Sequence, residues 1–214
     1  MAENATTPAE AVRAKTKYHH GDLRESLISA AFQLVLERGA ESFSLADACR
    51  LAGVSTAAPY KHFRDRDEIL EEVARRGFDL MTDLSMAAVE RAGEGTLAGI
   101  TAMGEAYIEF AVNYQSVFRL MFDLKSRMQC GEEQEGLEEG SECFARVINQ
   151  VAIFCERNNV EGDASEIAVR LWTFVHGAAS LTIDQDYDAV VPGFDVGRMI
   201  HQATPMLLNV AKAD

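Results

Sequence analysis

The sequence predicts an all-α protein of about nine helices, an N-terminal three-helix helix-turn-helix unit followed by a larger helical body. Three observations carry this. Apolar residues recur at spacings of three and four along most of the chain, and no stretch alternates apolar and polar residues between hairpin turns. Capping residues and glycines interrupt that periodicity where helices must end. Residues 44–63, SLADACRLAGVSTAAPYKHF, read as two short helices across a tight turn at Gly53-Val54-Ser55, the layout of a DNA-reading helix-turn-helix.

Residues 1–17 hold Ala, Thr, Pro and charge without periodicity and read as a mobile arm. The first helix begins at Gly21-Asp22, with Asp22 as N-cap and Glu25 three residues on. Its apolar positions Leu23, Leu27, Ala30, Ala31, Leu34 and Val35 follow the helical period, and Gly39 suits the position just past its end. Ser44 caps the second helix, with Asp47 at its third position, and Leu45, Ala48, Cys49 and Ala52 form the buried face. Gly53 supplies the turn. The third helix starts at Ser55 or Thr56, tolerates Pro59 in its first turn and ends at His62-Phe63, with Phe63 in the core.

A long fourth helix starts at Asp65 or Arg66 and runs to about Arg91, with Ile69, Leu70, Val73, Gly77, Leu80, Met81 and Leu84 on one face. Further helices are expected over 97–113, 116–124, 144–157, 165–183 and 196–210, the last kinked near His201 by Pro205. Residues 130–142, CGEEQEGLEEGSE, are acidic and nearly free of apolar side chains, and read as a mobile loop. The 165–183 helix is apolar on two faces. Ile167, Leu171, Phe174, Ala178 and Leu181 lie on one, and Val169, Trp172, His176, Ala179 and Ile183 on the other. Such a helix is central in its domain or shared with a second subunit, and two helices per chain can pair as a four-helix dimer interface. The expected division is an arm over 1–17, a DNA-binding unit over 18–66 and an effector-binding and dimerisation body over 67–214.

Composition narrows the function class. Apolar residues make up 48% of the 214, so the chain packs rather than staying disordered. No apolar run approaches the ~18 residues of a membrane span, and MAENATTPAEAVRAKTK has no secretory apolar core. The four cysteines, Cys49, Cys130, Cys143 and Cys155, form no C-x-x-C pair, so the expected setting is a reducing cytoplasm without a zinc or disulfide framework. The adjacent His19 and His20 lack a third ligand, and no metal or other cofactor is expected.

The net charge of −14 argues against nucleic acid until its distribution is read. Residues 11–66 carry nine Lys and Arg against six Asp and Glu, a balance of +3, whereas residues 67–214 carry −15. A basic head is drawn to phosphate while an acidic body is repelled, which orients the molecule on DNA.

Residues 18–84 resemble the N-terminal domain of the TetR-type family of bacterial transcription regulators. The resemblance rests on YHHGDLRESLISAAFQLVLERG, FSLADACRLAGVS, the APYKHF ending of the third helix and RDRDEIL, at matching spacings. The tail resembles the branch of that family with a Trp-x-x-x-His-Gly signature, here Trp172, His176 and Gly177. The resemblance implies a homodimer that sets two recognition helices on a palindromic operator of double-stranded DNA, released when a small molecule binds the C-terminal domain. Ala57-Ala58-Pro59 departs from the small-residue pair and leucine that many members place before the tyrosine.

In such a head the third helix enters the major groove. Ser55 and Thr56 suit base or phosphate contact, Ala57 and Ala58 thymine methyls, and Tyr60, Lys61 and His62 phosphates. Ser44 and Arg66, at the starts of the second and fourth helices, can donate to phosphate. Lys15, Lys17, His19 and His20 can extend along the backbone or into the minor groove. On the effector side, Met103, Tyr107, Phe110, Phe118, Met121, Phe122, Trp172 and His176 are candidates for lining a mostly apolar cavity between helices.

Other classes remain to be weighed. An enzyme on this scaffold would need a nucleophile, metal or phosphate motif, and there is no G-x-S-x-G, H-E-x-x-H or Gly-rich phosphate loop. A thiol sensor would use Cys130 or Cys49, although the glutamates around Cys130 disfavour its thiolate. A regulator answering to a protein partner would use the acidic segment.

Overall fold

The computed structural model describes residues 23–128 and 138–209, with side chains described over 23–123 and 142–209. The 1–17 arm, the Asp22 cap, His19, His20, Cys130 and Val210 lie outside these residues. Nine α-helices and no strand occur among the described residues: α1 (Leu23–Arg38), α2 (Leu45–Ala52), α3 (Arg66–Ala92), α4 (Leu97–Asn113), α5 (Gln115–Met128), α6 (Glu138–Asn158), α7 (Ala164–Ile183), α8 (Asp186–Val190) and α9 (Val196–Leu207). The expected all-α class is borne out.

Helix ends fall where local chemistry puts them. The Ser44 hydroxyl accepts from the Asp47 N–H at 3.2 Å and donates to the Asp47 carboxylate at 2.8 Å. That hydrogen bond holds the Asp47 carboxyl below its ordinary range. Gly53 ends α2 in the left-handed region, φ 71°, which an L side chain enters only at a cost. Asp65 caps α3 by accepting from the Glu68 N–H at 3.0 Å.

Four expectations are corrected. The third helix is not an α-helix. It is a single 3-10 turn, Pro59–Lys61, preceded by a turn in which the Ala58 N–H bonds the Ser55 carbonyl at 3.0 Å. Pro59 has no N–H to offer that carbonyl, so the segment closes through i to i+3 bonds. Helix α6 begins at Glu138, inside the segment expected to be a loop. The short α8 follows Gln185, whose φ of 62° turns the chain, and has no counterpart in the periodicity. Helix α9 runs through Pro205 and stops at Leu207, where Asn209, with a φ of 56°, turns the chain out of the helix.

Helix α3 ties the molecule together. Ile69, Leu70 and Val73 are buried near its start, and Met81, Ala88 and Val89 are buried farther along. One core runs from Leu27 and Phe63 through Val73, Phe110 and Val117 to Ile200. Ion pairs join α1 to α3: Arg24 with Glu72, and Arg76 with Glu25, while Arg76 also donates to Ser29 Oγ at 2.8 Å. Burial pushes the Glu72 carboxyl up, but hydrogen bonds from Arg75 and Arg24 outweigh it and hold the group below its ordinary value. This carboxylate stabilises the head above the unfolded-state pKa, and its contribution fades as pH falls through the lowered value.

At Gly77 an added Cβ would stand 2.6 Å from Met121 Sδ and 2.8 Å from Val117 Cγ1. The missing side chain lets α3 and α5 cross closely. In α7, Ile167, Ala168, Leu171, Ala178, Ala179 and Ile183 are buried. Val169 and Leu181, one from each of its apolar faces, are exposed.

Candidate DNA-reading tip and effector cavity

The tip is built from the α2 N-terminus, the 3-10 turn and the start of α3. Buried Pro59 and Phe63 anchor the turn, and Ser55, Thr56, Ala57, Tyr60, Lys61 and His62 stand exposed around it. Tyr60 is 65% exposed, so its ring belongs to the surface and not to the core. Ala58 is half-buried. Six short, hydroxyl-bearing, aromatic or basic side chains on one tight turn can meet a groove floor and its flanking phosphates.

Two expected contacts have structural employment. Ser44 spends its hydroxyl on Asp47. Arg66 donates through Nε to the Phe43 carbonyl at 3.0 Å and through Nη2 to the Ala40 carbonyl, with its guanidinium 5.7 Å from the Phe43 ring centroid. It pins the α1–α2 connection onto α3. Arg66→Ala should therefore lower stability by about 1–2 kcal/mol, half-exposure reducing the usual worth of charged hydrogen bonds. Urea unfolding reads this directly.

A cavity of about 400 Å³ opens between α3, α4, α6 and α7, at the small end of the usual range for ligand sites of about 300–1,000 Å³. Helix α3 contributes Phe78, Met81, Thr82, Ser85 and Met86, one face at helical spacing. Ile100, Met103, Gly104 and Tyr107 come from α4, Phe122 from α5, and Thr204 from α9. Helix α6 adds Cys143, Phe144 and Val147, and α7 adds Leu171, Trp172, Phe174 and Val175. No described side chain of this lining carries a formal charge.

The Tyr107 hydroxyl lies 2.8 Å from His176 Nδ1. Residues 172 and 176 are one helical turn apart on α7, and the His176 ring lies 6.3 Å from that of Tyr107 and 5.6 Å from that of Trp172. Burial pushes the Tyr107 phenol far above its ordinary value, and it stays protonated.

Family models match most of the chain. Residues 27–73 match the bacterial regulatory proteins of the tetR family, and residues 100–204 match the tetracyclin repressor-like C-terminal domain. The chain belongs to the TetR family. It is a DNA-binding transcriptional regulator. A protein of unknown function from Rhodococcus sp. RHA1 is 30% identical, with a TM-score of 0.76 over 91% of this chain and 97% of that one. Two other solved structures share the fold. The TetR family transcription regulator from Marinobacter aquaeolei VT8 is 15% identical, with a TM-score of 0.61 over 87% of this chain and 93% of that one. The TetR family regulator PfmR from Thermus thermophilus is 17% identical, with a TM-score of 0.58 over 87% of this chain and 99% of that one.

Within this TetR-family body, the cavity takes four of the eight residues expected to line it: Met103, Tyr107, Phe122 and Trp172. Phe110, Phe118, Met121 and His176 stand behind the wall. Phe110 stacks on Tyr114 with ring centroids 5.0 Å apart, and Met121 fills the space beside Gly77. Phe118 and Phe122 lie against the His176 ring at 5.6 and 4.6 Å. The residues missed were all those of α3, α6 and α9, with Ile100 and Gly104 of α4 and Leu171, Phe174 and Val175 of α7. The repeat Phe78, Met81, Thr82, Ser85 and Met86 was the available signal, hidden because two of its members are hydroxyl residues.

Cys49 is 1% exposed, and burial pushes its thiol up, as it does that of Cys155. Neither is placed as a reactive thiolate. Among the described residues no three His, Cys, Asp or Glu side chains cluster to hold a metal, and no helix is long and apolar enough to cross a membrane.

Proposed function

We propose that this TetR-family chain is a ligand-responsive repressor that binds a palindromic operator as a homodimer and lets go when a small apolar effector fills the cavity. The observation that carries this reading is α3. Its first turns pack the DNA-reading unit, and its middle turns, from Phe78 to Met86, form a cavity wall. Any ligand that moves those side chains acts on the helix that positions the tip.

Dimerisation is assigned to the outer face of α7 and to α9. Val169, Thr173, Gly177 and Leu181 fall four residues apart in one stripe, and Met206 of α9 is 65% exposed. A Cβ at Gly177 would meet nothing within 4 Å, so close approach there is open to a second copy. Ser55, Thr56, Ala57 and Ala58 read bases, and Tyr60, Lys61 and His62 hold phosphates. Ser44 and Arg66 support the tip from behind.

Fluorescence anisotropy on the DNA upstream of the chain's own gene tests the proposal. The expected result is sequence-specific, salt-sensitive binding at about 0.1 M salt. Binding equal on scrambled DNA would reject it. Lys61→Ala should weaken binding on all sequences alike and reduce the log–log salt slope by about 1 per protomer. Arg66→Ala, in contrast, should leave that slope unchanged.

A further inference from the structure

We infer that the molecule admitted to the cavity is uncharged and mostly apolar, and that its one oxygen function, a carbonyl or hydroxyl, is held by Ser85. This rests on the cavity being the effector site. The lining contains few hydroxyls, and most are committed. Thr82 Oγ1 donates to the Phe78 carbonyl and Thr204 Oγ1 to the Ile200 carbonyl, each at 2.8 Å. The Tyr107 hydroxyl is paired with His176 Nδ1 at 2.8 Å. Ser85 differs. It is 7% exposed, lies on the cavity wall one turn beyond Thr82, and makes no side-chain hydrogen bond among the described residues.

Buried hydroxyls in folded proteins are ordinarily satisfied, and one that faces a cavity without a partner marks where a ligand atom completes the bond. A serine hydroxyl both donates and accepts, so it serves a ketone, an ester or an alcohol. It does not serve an ion. With no cation among the described residues of the wall, a carboxylate would leave water uncompensated there, and with no carboxylate among them, so would an ammonium. Ligand class is thereby set by what the wall lacks as much as by Ser85.

The full-length protein can be tested through its single tryptophan, Trp172, which lies in the wall and reports occupancy by its emission. Five probes suffice: octan-2-one, octan-1-ol, propylbenzene, octanoate and octyltrimethylammonium. The ketone and alcohol should bind and release operator DNA. Octanoate should bind about a hundredfold more weakly at pH 7, since it must take up a proton to enter. Ser85→Ala should cut ketone affinity about three- to tenfold, the worth of one neutral hydrogen bond, and leave propylbenzene unchanged. The ligand-free variant should melt no lower than the parent, because no bond is lost, and Ser85→Thr should restore ketone binding. Octanoate binding as tightly as octan-2-one, or Ser85→Ala weakening octan-2-one and propylbenzene equally, would overturn the assignment while leaving the cavity as effector site. If no probe perturbs Trp172 or releases DNA, the effector reading fails with it.

Discussion

Replacing Phe110 with alanine should remove about 3–5 kcal/mol of stability, the range for truncating a buried phenylalanine. For a protein of this length the melting temperature should fall by roughly 6–20 °C, at about 2–4 °C per kcal/mol. The ring is 1% exposed and stacks on Tyr114, which in turn meets Phe32 of α1 edge-on with centroids 6.5 Å apart. That aromatic series joins the C-terminal body to the first helix of the DNA-reading unit. The variant should therefore unfold in one transition, with far-UV circular dichroism and Trp172 fluorescence coinciding. A head that melts separately, leaving the body and Trp172 native, would refute a shared core.

Gly177→Arg should leave each protomer folded but convert the dimer to a monomer, and operator affinity should fall by at least about a hundredfold as the second half-site is lost. The expectation is clean because a Cβ at 177 meets nothing within 4 Å inside the protomer. Within the helix, replacing glycine even adds up to about 1 kcal/mol through propensity. Light scattering with size-exclusion chromatography reads the assembly, and anisotropy reads the operator. A variant that remains dimeric and binds DNA within threefold of the parent would move the interface off α7.

Much of the head was legible because its signals are short-range. Ser44, Gly53 and Asp65 end helices through hydrogen bonds and φ angles set within three residues. The exposed Ser55, Thr56, Ala57, Tyr60, Lys61 and His62 and the buried Phe63 agree with the sequence reading, whereas the burial of Pro59 was not part of it. Periodicity misjudged the third helix, because an imino acid at position 59 changes the hydrogen-bond pattern without changing which side chains face inward. The α6 start was missed for a related reason: composition argued for a loop, and the acidic residues there are equally at home on a solvated helix.

The body was legible as helices but not as a site. Met103 and Phe110 both occupy inward positions of α4, yet one meets a void and the other meets Tyr114. Arg66 sits where a phosphate contact is expected, yet its guanidinium reaches the carbonyls of Ala40 and Phe43. Val169 and Leu181 look like core residues of an apolar helix and lie outside it.

The sequence by itself determined the all-helical class, the ends of most helices, the TetR-type head and the charge asymmetry that directs it to DNA. Only the tertiary structure decided which apolar residues surround a cavity, which arginine is a brace, and which face of α7 is left bare. Caps, turns and periodicity are local, so they survive being read one segment at a time. A cavity or an open face is the space left when several helices cross, and its position depends on the volumes of side chains far apart in sequence.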